Sequence, residues 1–267
     1  MKRRSIWYTG GTLQLRDWSL MYLMIKRTVM LIFVTISYIY IFIYMFNADK
    51  INYCYNDVYC YAQYYSVAIV LFISGLYIVY YMKYEYRDSI ILLENNMKKV
   101  WVRISRKIAV ESIIITIYSF IICTVYAFFS GYSYKCNWTD DYSNAWRFFL
   151  RHVDTYIDTW IIQSIYLLVV FSEIFVMGMM IMLFWWWFNL PVYGYVGMIA
   201  MVVVEMFGYV DDGLFFSKIS MNPSDLYLNG YSLVNNVVIP IAAISIIWIV
   251  GLFTLRKKDM LRKESDI

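Results

Sequence analysis

Histidine is nearly absent from this chain, with His152 the only one. One histidine in a polar stretch excludes paired-histidine metal motifs such as HExxH, in which two imidazoles on one helix face must reach the same ion. No GxSxG elbow occurs, which removes the hydrolase nucleophile, and no GxxxxGK[ST] loop occurs, which leaves the chain without a P-loop of its own for ATP. The predicted catalytic and metal sets are therefore empty, and an intramembrane enzyme is disfavoured. Charge is also scarce: 16% of residues are charged against 62% hydrophobic, with a mean hydropathy of +0.56. An ordinary soluble domain is closer to half apolar, so the composition points to a polytopic membrane protein. The net charge of +4 does not indicate nucleic acid. The basic residues sit in short loops beside apolar spans, where membrane orientation and anionic lipid account for them.

A small-residue cleavage site is missing after the first apolar run, so that run is expected to be retained as a span rather than removed as a signal peptide. Cysteine is sparse, with four in the chain. Cys54, Cys60 and Cys136 fall in loops that the topology below places outside, where disulfides persist. A Cys54–Cys60 disulfide and free thiols are both compatible with so short a loop. Cys123 lies within a span and is expected to pack.

Six apolar segments follow one another. Residues 13–27 put Arg16, Ser19, Lys26 and Arg27 on one side of a helix and Trp18, Met21, Tyr22 and Ile25 on another, which predicts an interfacial helix lying along the membrane. Spans are then predicted over 28–47, 61–82, 108–129, 160–188, 192–210 and 237–255, each near or above the ~20 residues that a bilayer requires. Tyr61, Tyr64 and Tyr65 at one end of the second span, and Tyr80, Tyr81 and Tyr84 at the other, read as aromatic belts. Asn189 and Pro191 end the fourth span, and Pro240 is expected in the first turn of the sixth, where proline costs little. Residues 211–235 are too apolar for a solvated loop. With Asn222-Pro223-Ser224 as a helix start, they are expected to dip back into the outer leaflet.

Lys and Arg decide the orientation. Residues 1–27 hold six, residues 83–107 seven and residues 256–267 five, against five in the remaining loops (Lys50, Lys135, Arg147, Arg151, Lys218). This asymmetry predicts that both termini are cytoplasmic, in the plasma membrane.

The longest charged interval is residues 85–107, EYRDSIILLENNMKKVWVRISRK. Ser89 can cap a short helix with an apolar body at residues 90–93, and Asn95-Asn96 can end it. A basic run with Lys98, Lys99, Arg103, Arg106 and Lys107 then carries Val100, Trp101, Val102 and Ile104 toward the next span. Positive-inside bias alone would also produce a basic loop here.

This layout resembles the ABC-2 type permeases, the membrane subunits of ABC exporters. There the second and third spans are joined by a glutamate, a short leucine-like helix, a polar break, a basic segment and a lysine at the third span. Glu85, residues 89–93, Asn95-Asn96, Lys98-Lys99 and Lys107 follow that order, while the family's usual glycine near position 89 and proline near 96 are absent. The resemblance extends over nearly the whole chain through the interfacial helix, the six spans, the re-entrant stretch and the basic tail. It implies that the loop is a coupling helix seated in a separate ATPase subunit, with Glu85, Ser89, Ile91, Leu92, Glu94, Lys98 and Lys99 at the contact. It further implies that ATP and magnesium bind that partner and that no cofactor binds this chain. A second copy or sibling of the permease would complete the complex, with membrane lipid around it.

Glu173, near the middle of the fourth span, and Glu205, in the outer half of the fifth, are costly enough there to be candidates for a translocation pathway. The alternative is a protonated glutamate hydrogen-bonded to a hydroxyl or backbone carbonyl. Met177, Met179, Met180 and Met182 offer either an adaptable wall or packing.

The sequence thus predicts an all-α polytopic membrane protein, one transmembrane domain over residues 1–267. Six spans are accompanied by an N-terminal interfacial helix, a coupling helix after the second and a re-entrant outer segment between the fifth and sixth. The function it points to is the permease of an ATP-driven exporter of an amphipathic or hydrophobic substrate, such as an antimicrobial peptide, a drug or a lipid. The alternative is a membrane-embedded immunity or sensor protein that binds a peptide without ATP.

Overall fold

Long runs free of glycine and proline give long helices here, because nothing within them interrupts the backbone ladder. The computed structural model describes residues 11–46, 51–85, 97–149, 154, 156–188, 191–206, 215–216, 218–221 and 232–264. Its helices are α1 (Gly11–Met45), α2 (Tyr55–Glu85), α3 (Met97–Phe129), α4 (Asn144–Phe149), α5 (Thr159–Phe188), α6 (Pro191–Met206) and α7 (Ser232–Glu264). Among the described residues the only strand-like pairing is two isolated bridges, Asn52 with Ser143 and Cys54 with Ser133.

Four helices are long and apolar enough to cross a membrane: Met21–Met45, Lys98–Phe129, Thr159–Phe188 and Asn235–Thr254. A fifth crossing is available if Tyr55–Tyr65 and Ile69–Met82, which meet at 57°, form one span. Val192–Glu205 is apolar but shorter. The six predicted spans therefore all fall on helices, of which four meet the length and composition expected of a crossing.

Three expectations change. Residues 13–27 do not form a separate interfacial helix, since α1 runs unbroken from Gly11 to Met45 and the sequence between offers no glycine or proline at which to turn. Pro240 is not in the first turn. Helix α7 begins at Ser232, so Pro240 lies in its interior, where its ring cannot donate to the carbonyl four residues back. The predicted short tail is helical as far as Glu264. Asn95-Asn96, His152 and Asn222-Pro223-Ser224 lie outside the described residues.

Helix α5 is the central post. Seventy-two per cent of its most apolar window is buried inside the molecule, against 11% for α7, as expected of a helix apolar on every face. It packs against α2, α3, α6 and α7. Met177, Met179 and Met182 are buried within this packing rather than lining a wall. Gly178 lets α3 close on α5, for a Cβ there would stand 2.6 Å from Ile108 Cγ2. The outward faces of α1, α3 and α7 expose large apolar side chains such as Ile32, Phe33, Ile117, Ile121, Ile246 and Phe253. A continuous apolar surface of this kind suits lipid.

The helix ends fall into two groups. Trp101 of α3 meets Trp186 of α5 and Gly251 of α7 at one end. Arg27 of α1 is ion-paired there with Glu111 of α3, and Tyr77 of α2 also donates to Glu111 at 3.1 Å. At the opposite end, residues 51–65 pack against the connection after α3. Phe42 stacks on Tyr126 at 4.1 Å, and Phe46 contacts Tyr53, Tyr61 and Tyr132 edge-on or tilted.

Candidate functional site

The two intramembrane glutamates lie on neighbouring helices, and both are buried. Each is tied to a different end of the short segment at residues 215–221. Glu205, near the C-terminus of α6, accepts the Phe215 backbone N–H with both carboxylate oxygens, at 3.2 and 3.1 Å. Glu173, in α5, accepts from Gln63 Nε2 of α2 at 2.7 Å. The same Gln63 amide takes the Met221 backbone N–H on its Oε1 at 2.6 Å. Two backbone N–H groups that would otherwise be buried without partners are thus satisfied by side chains from two helices, α6 and α2, while Glu173 of α5 holds the Gln63 amide.

Between those anchors Phe215, Phe216, Ile219 and Met221 are buried. Ile219 N–H returns to Phe215 O at 3.2 Å, forming one turn. Of the predicted re-entrant stretch, Phe215, Phe216, Ile219 and Met221 therefore sit inside the helix bundle, Lys218 is exposed, and residues 232–235 instead open α7. The hydrogen-bonded reading changes in its partners: Glu205 accepts from a backbone amide and Glu173 from a glutamine amide. Gln63 was not singled out from the sequence, and nothing local marks it, because its partners lie 110 and 158 residues away.

The other predicted cluster is only partly in view. Glu85 is the last residue of α2, while Ser89, Ile91, Leu92 and Glu94 lie outside the described residues. Lys98 and Lys99 are exposed in the first turn of α3. One turn further on, Val100, Trp101 and Ile104 are buried. The Trp101 ring packs against Trp186 at 5.3 Å and 65°, and it occupies the space that a Cβ on Gly251 would need, 1.9 Å from its Cζ2. The start of α3 is thereby keyed to both α5 and α7. Glu111, a turn or two further along α3, is buried with Arg27 and Tyr77 as its partners.

At the opposite end a buried polar knot surrounds Asp57, a residue that the sequence reading passed over. Asp57 Oδ2 accepts the Cys54 backbone N–H at 2.9 Å, a reciprocal cap on the first turn of α2. Its Oδ1 accepts Trp138 Nε1 at 2.9 Å and Asn144 Nδ2 at 3.4 Å, and the same Asn144 nitrogen donates to Tyr61 OH at 2.8 Å. The spacing of Asp57 after Cys54 at a helix start was the available signal.

The Cys54–Cys60 disulfide does not form. All four cysteines are free thiols. Cys54 caps α2 and Cys60 lies within it. Six residues of helix rise about 9 Å, beyond the roughly 7 Å Cα separation that a disulfide tolerates. Cys123 packs as expected, its Sγ 3.5 Å from Tyr166 OH. Among the described residues, no three His, Cys, Asp or Glu side chains converge as a metal set.

Fold and site together define an all-helical membrane protein with a short segment clamped inside the bundle by two glutamates. Comparison of the chain with protein-family models, with curated proteins and with solved structures returned no match.

Proposed function

We propose that the chain is the transmembrane permease subunit of an ATP-driven ABC exporter of the ABC-2 type. The observation that carries this reading is the keying of α3. A push on residues 86–99 enters a helix whose first turns are locked through Trp101 to α5 and α7. A rigid coupling of that kind is what turns closure of two ATPase subunits into movement of the membrane helices. ATP and magnesium bind those partners, not this chain. A second copy or a sibling permease completes the pathway, and lipid surrounds it in the plasma membrane with both termini cytoplasmic.

In this scheme residues 215–221 are the outer gate, and Glu205 and the Glu173–Gln63 pair are its latches. The cargo is amphipathic or hydrophobic, such as an antimicrobial peptide, a drug or a lipid, in keeping with Phe215 and Phe216 in the gate itself. The second reading, a peptide-binding immunity or sensor protein without ATP coupling, is favoured by the exposed Tyr134, Tyr142, Tyr156 and Trp160 over the Asp57 knot. Aromatic faces of that sort are common binding surfaces.

The test is assembly with candidate ABC ATPases co-expressed with the chain. Changing Ile91 and Leu92 together to Asp places two charges in a desolvated groove and should abolish co-purification. Reversing Lys98 and Lys99 to Glu should weaken it only modestly, since rim charge contributes little. Unaltered assembly of the double-Asp variant would remove the coupling helix from residues 89–94.

A further inference from the structure

Two backbone tie points bring two cysteines from distant parts of the chain together. Asn137 Nδ2 donates to Asn52 O at 2.9 Å, and Tyr55 N–H donates to Ser133 O at 3.0 Å. Cys54 lies between Asn52 and Tyr55, and Cys136 lies between Ser133 and Asn137. Cys54 is also bridged to Ser133 directly. The two thiols lie side by side, and the one S–H proton of Cys54 is directed to Asp57 Oδ2 at 3.4 Å. Cys54 is wholly buried, whereas Cys136 keeps 8% exposure.

We infer that Cys54 and Cys136 are a thiol pair that closes to a disulfide, clasping the start of α2 to the connection after α3. The neighbouring Cys54 side chain holds the Cys136 thiol below its ordinary value, and burial pushes Cys54 up. Cys136 is therefore the attacking thiolate. Its sliver of exposure admits a small disulfide rather than the face of a protein oxidant. The Cys136 thiolate attacks one sulfur of that small disulfide, breaking the S–S bond and releasing the first thiolate.

Cys54 then gives its proton to Asp57 Oδ2, 3.4 Å from its Sγ. It attacks Cys136 Sγ, and the second small thiolate leaves. The two cysteines lose two electrons and two protons, and the oxidant becomes two thiols. Cys60 is buried inside α2 and takes no part. A persistent clasp requires that this end of the bundle face an oxidising compartment, so its redox role rests on the outward orientation proposed above.

The experiment uses the full chain in native membranes exposed to glutathione disulfide, followed by denaturing alkylation of free thiols and peptide mass spectrometry. The expected result is a Cys54–Cys136 linked peptide, with Cys60 and Cys123 alkylated. The linked form should melt about 5–10 °C higher in detergent, because the bond closes a long loop. Cys136→Ser and Cys136→Ala should both abolish the oxidant-induced shift while leaving the reduced melting point close to that of the wild type. A Cys54–Cys60 peptide, or complete alkylation of Cys54 and Cys136 after exposure, overturns the pairing. Labelling of Asp141→Cys in intact cells with a membrane-impermeant maleimide tests orientation separately. Reaction only after lysis would overturn the outward-facing topology and the redox role while the linked peptide still stood.

Discussion

The indole of Trp101 occupies the place that any side chain on Gly251 would need. Even alanine there would force the ring off Trp186, which it meets at 5.3 Å. Gly251→Ala should therefore destabilise the protein by about 1–3 kcal/mol, the usual range for overpacking a fitted core. In detergent this reads as a lower melting midpoint. Combining it with Trp101→Leu should cost clearly less than the sum of the two single changes, since one contact is removed in both. Strict additivity would mean that α3 is not keyed to α7 at this point.

Gln63→Leu removes the donor to Glu173 and the acceptor for Met221 N–H in a single change. Each buried group left without a partner costs about 1–3 kcal/mol, and the loss should concentrate on the clamped segment. Hydrogen exchange at the Met221 amide and proteolysis within residues 215–221 should both rise. Unchanged exchange would show that the amide is not what holds the segment. Gln63→Glu gives a sharper result. It sets a second carboxyl beside Glu173, so the two can share one proton at low pH but repel as pH rises and both ionise. Exchange protection should therefore be near normal in acid and fall toward alkaline pH.

How far these features could be read in advance varies with the distance between partners. The helices were legible because period, apolar length and breakers are local: Pro191 opens α6, and α3 runs on from Met97 with nothing to stop it. The interfacial helix was misplaced because amphipathic patterning reports which faces are polar and not whether the axis bends. Pro240 was misplaced because the sixth span was taken to start at residue 237, whereas α7 begins at Ser232. Glu173 and Glu205 were legible as costly residues, but their partners were not. Gln63 and the Phe215 N–H reach the two glutamates only through tertiary packing, and Cys54 meets Cys136 in the same way, which is why the nearer Cys60 was the partner considered.

Arg27 and Glu111 should behave asymmetrically. Arg27→Ala leaves a carboxylate buried with Tyr77 alone, whereas Glu111→Gln leaves an arginine with 32% of its side chain exposed to solvent. The arginine change should cost roughly 1–3 kcal/mol, more than the glutamate change, and the double variant should recover part of that loss. Melting midpoints of the three variants check the order. An equal loss for both single changes would mean that the pair is screened and contributes little.

Glu173→Gln and Glu205→Gln each keep one acceptor oxygen while removing the ionisable group from the gate. Both variants should express and assemble normally and should change export or substrate-stimulated ATP hydrolysis several-fold. Normal transport by both would confine the glutamates to holding residues 215–221 in place.

The most direct measurement of the central claim is reconstitution of the wild-type chain with candidate P-loop ATPases co-expressed with it. The chain is purified by its own tag in detergent, the ATPase content of the complex is quantified, and ATP-dependent export of an amphipathic peptide is followed in liposomes. The permease reading predicts a stoichiometric complex and export that stops without ATP. A chain that purifies free of any ATPase, and binds the peptide equally well with and without ATP, would contradict it and establish the sensor or immunity reading.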